Sequence, residues 1–369
     1  MTRSNSYNMK YIDDFRSPYL VKKTAEKIRR IMPEKEIKIM EVCGTHTMSF
    51  FKFGLSDLLP DNLKFISGPG CPVCVSDTGF IDSALELAKD KNVIIATFGD
   101  MLKVPGTISS LQRQRANGAS VQVVYSPLDA FKIASKNNKK HVVFLGVGFE
   151  TTAPGIALSI KQAAKEKMRN LSFFCSLKLM PPAMEHLLKD RRVDISAFLC
   201  PGHVSVIIGT EPYEFIARDY AIPCCVAGFE PLDILEGIYL LLKQINEGRH
   251  TVSNQYLRAV RKEGNPEARK LINEVFRPAD TPWRGLGKIP KSGLKIRDKF
   301  SIFDAEKVFS VRPKIINQEN TKCKCADVLK GLLSPGECPL LGKACTPEKP
   351  LGPCMVSQEG SCNAYYKYR

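Results

Sequence analysis

The chain has 369 residues, 44% hydrophobic and 25% charged, with a formal net charge of +16. This is the composition of an ordinary folded protein of two or three domains, and no apolar run approaches the roughly 20 residues of a membrane-spanning helix. The Lys and Arg are scattered in groups no longer than Lys22-Lys23, Lys139-Lys140 and Arg191-Arg192, so the charge reads as solvated surface, with no nucleic-acid stripe and an acidic protein partner left open.

The N-terminal stretch MTRSNSYNMKYIDDFRSPYL lacks the apolar core of a secretory signal, and a cytoplasmic location is expected. Short apolar, β-branched runs then predict strands at 37–42, 64–66, 93–98, 121–125, 142–147, 171–175, 195–199 and 223–226. Amphipathic stretches at 19–31, 79–88, 153–164, 184–189 and 231–245 predict helices between them. Strands that are apolar throughout and separated by helices indicate an α/β fold with parallel sheets covered on both faces. Residues 253–276 read as helical and charged. The segment 279–293, ADTPWRGLGKIPKSG, reads as a Pro/Gly loop carrying the single tryptophan, Trp283, and 294–314 should return to a sheet or lead into the tail.

A weak internal repeat lays IMEVCGTHT over FLGVGFETT, FISGPGCPVCVS over AFLCPGHVSVIIG, and ATFGDML over VAGFEPLDI. It predicts two similar α/β domains, 1–138 and 139–300, followed by a cysteine-rich domain, 301–369. Ligands of open parallel sheets sit beyond the carboxyl ends of the strands, so the motif-bearing loops should share one cleft.

Cys43-Gly44-Thr45-His46-Thr47 follows a strand and opens a helix, whose N-terminal dipole is expected to lower the thiol pKa. Cys43 and His46 can converge on one metal ion or act as nucleophile and base; the alternative is a buried cysteine beside a satisfied histidine. In Gly68-Pro69-Gly70-Cys71-Pro72-Val73-Cys74 the thiols Cys71 and Cys74 have the spacing of a thiol–disulfide pair, with half of a zinc site as the rival. Glu150 in GFETT and His203 in PGHVS are candidate proton-transfer or orienting groups, or else a helix cap and a structural histidine. Asp100 has a modest claim of the same kind. Cys175, Cys200, Cys224 and Cys225 read as core, and His141, His186 and His250 as surface or structural residues.

Six of the thirteen cysteines, Cys323, Cys325, Cys338, Cys345, Cys354 and Cys362, crowd the last 47 residues among Pro and Gly. In a reducing compartment such clusters bind metal or do redox chemistry. The paired C-x2-C loops of zinc knuckles are absent, which favours an iron–sulfur cluster, and six thiols exceed the four that one cluster needs. No P-loop is present.

Together CGTHT, GPGCPVCVS, GFETTAP, PGHVS, PWRGLG and ECPLLGKACTPEKPLGPCMVSQEGSCNAYYKY closely resemble the HypD family of hydrogenase maturation factors over nearly the whole chain. The resemblance implies a scaffold for assembly of the Fe(CN)2CO unit of nickel–iron hydrogenases, with a small HypC-type chaperone and a cyanide-delivering HypE-type protein, and no simple turnover reaction. It implies that Cys43 binds the iron jointly with the N-terminal cysteine of HypC, that His46 lies at the same iron, and that Cys71 and Cys74 exchange electrons. It also implies a C-terminal [4Fe-4S] domain. The tail is similar in kind to the catalytic subunit of ferredoxin:thioredoxin reductase, which implies Cys323, Cys338, Cys345 and Cys362 as cluster ligands and Cys325 with Cys354 as an adjacent dithiol; the reductase spaces its cysteines differently. A stand-alone thiol–disulfide reductase and a zinc-stabilised interaction scaffold are the alternative readings.

Overall fold

A computed structural model describes residues 13–311 and 322–369. Eleven strands among them form two sheets. In chain order they are β1 (Ile37–Glu41), β2 (Leu63–Ser67), β3 (Val93–Thr97), β4 (Val121–Val123), β5 (His141–Gly148), β6 (Leu171–Lys178), β7 (Ala197–Pro201), β8 (Cys224–Ala227), β9 (Val252–Asn254), β10 (Phe276–Trp283) and β11 (Gly287–Ile296). The first sheet has the order β2-β1-β7-β8-β9 and is parallel throughout. The second has the order β10-β11-β6-β5-β3-β4, parallel from β6 to β4, with β10 and β11 an antiparallel pair at one edge. All eight runs predicted from apolar patterning are strands, and the class is the expected α/β. No helix among the described residues is long and apolar enough to cross a membrane.

The sheets do not divide the chain near Asn138. Strands β3 and β4 precede that residue, yet β3 pairs with β5 beyond it, while β7 to β9 return to the sheet begun by β1 and β2. The order β6-β5-β3-β4 matches β2-β1-β7-β8 strand for strand, but the chain visits the positions in rotated sequence. Only the first match of the internal repeat, β1 with β5, joins equivalent positions. The second match joins β2 and β7, which flank β1 in one sheet, because a Gly-rich strand-to-helix turn is a local requirement that recurs whatever the domain.

The segment read as a Pro/Gly loop is instead the β10–β11 hairpin, with a register shift between Ala279 and Thr281. Pro278 and Pro282 sit on the edge strand β10, where a missing N–H is tolerated, and Pro290 on β11 falls in the unpaired stretch opposite that register shift. Trp283 is buried, and its indole N–H donates to Ser292 Oγ at 2.8 Å. Of 253–276, only Pro266–Val275 is helical. Residues 301–311 belong with the second sheet rather than the tail: Phe303 and Ala305 are buried in its cores, and Asp304 bridges Phe173. Residues 312–314 of the predicted return lie outside the described residues.

The carboxyl ends of both sheets meet in one shared core. Met40 of β1 and Val42 just beyond it, Phe149 after β5 and Trp283 of the hairpin pack there with Cys71, Cys74, Cys354, Met355 and Cys362. The tail thus fills the space between the strand ends and leaves a closed site where an open cleft was expected.

Candidate functional site

Cys43 is the residue before the helix Gly44–Lys52, held in an extended conformation at the end of β1. Two glycines make this position. A Cβ on Gly70 would overlap the Cys43 amide nitrogen, and one on Gly44 would lie 2.5 Å from the carbonyl oxygen of Glu359, so loop and tail can approach only where side chains are missing. The Gly44 N–H donates to Gly70 O at 3.0 Å, tying the two motifs together.

Cys43 is buried, with 7% of its surface exposed. Burial, with Glu359 and Glu41 nearby, pushes it up to about 12. The expectation that the helix terminus would lower it fails, because desolvation and two carboxylates outweigh the backbone N–H groups of Thr45 and His46. Glu41 is itself buried and raised to about 8, chiefly by desolvation; it accepts hydrogen bonds from the Cys43 N–H at 2.8 Å and from the Thr47 hydroxyl. Glu359 accepts from the Thr45 hydroxyl at 2.6 Å.

His46 is fully buried. Its Nε2 lies 2.8 Å from Gly228 O and 3.2 Å from Ala227 O, which assigns the proton to that nitrogen, since both partners only accept. Nδ1 then carries a lone pair with no partner among the described residues. Burial drives the imidazole pKa down to about 4, so this lone pair is free at neutral pH. Phe229 stands between two histidines, 4.9 Å from the His46 ring and stacked 3.9 Å from that of His203. His203 itself is exposed.

Cys71 and Cys74 are 3% and 0% exposed, with the Cys74 N–H donating to Cys71 Sγ at 3.3 Å. The Cys74 thiol lies 3.9 Å from Pro353 O and meets the Cys354 thiol. From Cys354 the contacts continue to Cys325 and Cys362, and Cys325 Sγ lies 3.2 Å from Cys323 Sγ. Cys345 Sγ accepts from Leu351 N at 3.4 Å. Gly352 presents bare backbone to the group: a Cβ there would lie 2.6 Å from Cys325 Sγ and overlap Cys323 Sγ. Burial and neighbouring thiols raise Cys74 and Cys354 well above the ordinary thiol value. Cys338, half-buried after the turn Pro335–Glu337, makes none of the thiol contacts that link the others.

Donor chemistry at the tail suits an iron–sulfur cluster: soft thiols gather around a glycine cradle, with Cys338 the outlying member. Among the described residues no group of three His, Cys, Asp or Glu side chains is already set at metal-holding geometry.

Glu150 is buried at the N-terminus of the helix Met180–Leu188, not at the thiols. Its Oε1 accepts from Met180 N at 2.9 Å, its Oε2 has no partner among the described residues, and burial raises it to about 7. Asp100 is exposed on a 3-10 turn. Cys200, Cys224 and Cys225 are core residues as read, and Cys175 is partly buried. His186 donates to Leu286 O at 3.1 Å, while His141 lies 3.0 Å from Ser172 Oγ. The sequence reading missed Glu41, Phe229 and Glu359. A signal existed for Glu359 in the charged residue of SQEGSC; an acid ending an apolar strand, like Glu41, gives none.

The HypD family profile, described as hydrogenase formation hypA family, matches residues 19–369. Similar proteins include the hydrogenase maturation factors HypD2 of Bradyrhizobium diazoefficiens, HypD of Cupriavidus necator and HypD of Escherichia coli. Each is 44% identical, over 98% of this chain and 97%, 97% and 98% of the respective relative. A family match over nearly the whole chain, and relatives matched along nearly their own full length, lead to one conclusion: the chain belongs to the HypD family of hydrogenase maturation factors.

Proposed function

We propose that this chain is a scaffold on which the Fe(CN)2CO unit of a nickel–iron hydrogenase is assembled, acting with a HypC-type chaperone and a HypE-type cyanide donor. The iron is its cargo. Cys43 anchors the metal as thiolate, deprotonating as iron binds, since metal coordination and loss of the thiol proton are coupled. The unpartnered Nδ1 of His46 supplies a second donor or a base beside it, and the closed site excludes water from the cyanide and carbonyl ligands.

The observation that carries this reading is the unbroken run of thiol contacts from Cys71 and Cys74 through Cys354 and Cys325 to Cys323, next to the loop packed on Cys43. In it, Cys325 and Cys354 reduce a Cys71–Cys74 disulfide by thiol–disulfide exchange. Two electrons and two protons pass to the acceptor pair, and the donor pair closes as a disulfide. A [4Fe-4S] cluster held by Cys323, Cys338, Cys345 and Cys362 would supply one-electron chemistry beside that dithiol. The burial of Cys71 and Cys74 speaks against a stand-alone reductase, whose thiols must reach disulfides of other proteins.

The test is a Cys354→Ser variant prepared anaerobically, its iron content and electron paramagnetic resonance matched to the parent, with thiol states mapped by differential alkylation after a one-electron reductant. The parent recovers Cys71 and Cys74 as thiols while the variant retains their disulfide. Equal reduction in both removes the relay, and zinc in place of iron removes the cluster.

A further inference from the structure

The thiol run has an inner end, at Cys71 and Cys74, and an outer end at Cys323, which with Cys325 acts electrostatically on Cys345. Beside the outer end lies a cavity of about 980 Å³ that the sequence motifs do not account for. Leu351, in its wall, donates its N–H to Cys345 Sγ at 3.4 Å. Arg284, also in the wall, is held by a 3.1 Å bond from Nη1 to Pro105 O and acts electrostatically on Cys323. The cavity wall therefore touches one proposed cluster ligand, Cys345, and acts on a second, Cys323, through the charge of Arg284.

Its lining is predominantly positive. Lys103, Arg113, Arg284 and Lys349 contribute four positive charges against the single carboxylate of Glu348, which faces Lys103. Lys103, Arg113 and Lys349 are exposed, and Ile108, 89% exposed, stands among them as an apolar point of contact. Cations around an apolar residue, close to an electron-accepting centre, form a surface suited to a transient, electrostatically steered encounter with a protein.

We infer that this cleft is the docking surface for an acidic one-electron carrier protein that reduces the tail. The inference rests on the redox reading of the tail proposed above. Each reduced carrier molecule is oxidised by one electron on docking. Two successive encounters supply the two electrons, and solvent the two protons, that open one disulfide. Charge complementarity selects the partner: a basic carrier is repelled by the lining, whereas an acidic one is drawn to it from a distance set by the Debye length.

The test uses the full chain, with plant-type [2Fe-2S] ferredoxin as the acidic probe and cytochrome c as a basic control of similar size. Calorimetric titration should show ferredoxin binding that weakens about tenfold or more when salt is raised from about 0.05 to about 0.5 M, and no binding of cytochrome c. The charge-reversed variant K103E/R113E/K349E should lose at least about tenfold in ferredoxin affinity. Its Cys71–Cys74 reduction by ferredoxin should be lost, while reduction by dithionite, which needs no docking surface, continues. Unchanged ferredoxin affinity in the variant, or equal binding of both probes, overturns the inference. Absence of an iron–sulfur resonance in the dithionite-reduced parent overturns the redox reading instead, and is seen independently of the titration.

Discussion

Gly70 lies flat against Cys43, so that any side chain at position 70 would occupy the space of the Cys43 amide nitrogen and the Val42 carbonyl carbon. The backbones of the thiol-pair loop and the CGTH turn are thus in direct contact, and neither can yield without moving a buried strand end. Gly70→Ala is expected to destabilise the fold by about 1–3 kcal/mol, the usual cost of overpacking. Gly99→Ala is the control: the nearest atom to its Cβ would be Val123 Cγ1 at 3.7 Å, and the change should be within about 0.5 kcal/mol of neutral. Urea denaturation of both variants checks the contrast.

The raised thiol of Cys43 has a chemical signature. Three pKa units above an ordinary cysteine, and 7% exposed, it should react with iodoacetamide at pH 7 about a thousandfold more slowly than free cysteine in the metal-free protein. Mass-spectrometric labelling time courses measure this directly. Labelling at the rate of free cysteine would mean that the closed site does not persist in solution.

Glu41 makes stability depend on pH in a definite direction. Between its ordinary value of 4.5 and the raised value of about 8, the folded protein keeps a proton that the unfolded chain has released. Stability from this group therefore falls as pH rises through that window, with a slope approaching about 1.4 kcal/mol per pH unit. Glu41→Gln, which cannot ionise, should flatten the slope. The difference in unfolding free energy, variant minus parent, should grow between pH 5 and pH 8; a constant difference would place Glu41 in a wetter setting than the fold shows.

Where a residue's role is local, it could be read from the sequence. The strands β1 to β8 announced themselves by continuous apolar runs bounded by Gly and Pro, and the two thiol motifs by their place after a strand. The hairpin β10–β11 stayed hidden because Pro278, Pro282 and Pro290 carry the signature of a loop, and only an edge position for the first two and a break in the pairing for the third make them compatible with a sheet. The division at Asn138 failed for a related reason: nothing in the segment 93–123 says that its strands will pair with β5 rather than β1. At the site, Cys43 and His46 were visible by type and spacing. The burial that raises one and lowers the other, with the carboxylate of Glu359 from the tail and the ring of Phe229 from the turn after β8 set against them, comes from elements far apart in the chain, and no spacing rule encodes that closure.

Infrared spectroscopy of the chain purified together with its small maturation partner tests the central claim most directly, since cyanide and carbonyl bound to iron have stretching bands where protein is silent. In the parent complex both should be present. In a Cys43→Ala variant with unchanged circular dichroism and partner binding, both should vanish; cyanide and carbonyl bands of undiminished intensity in that variant would show that the iron is held elsewhere.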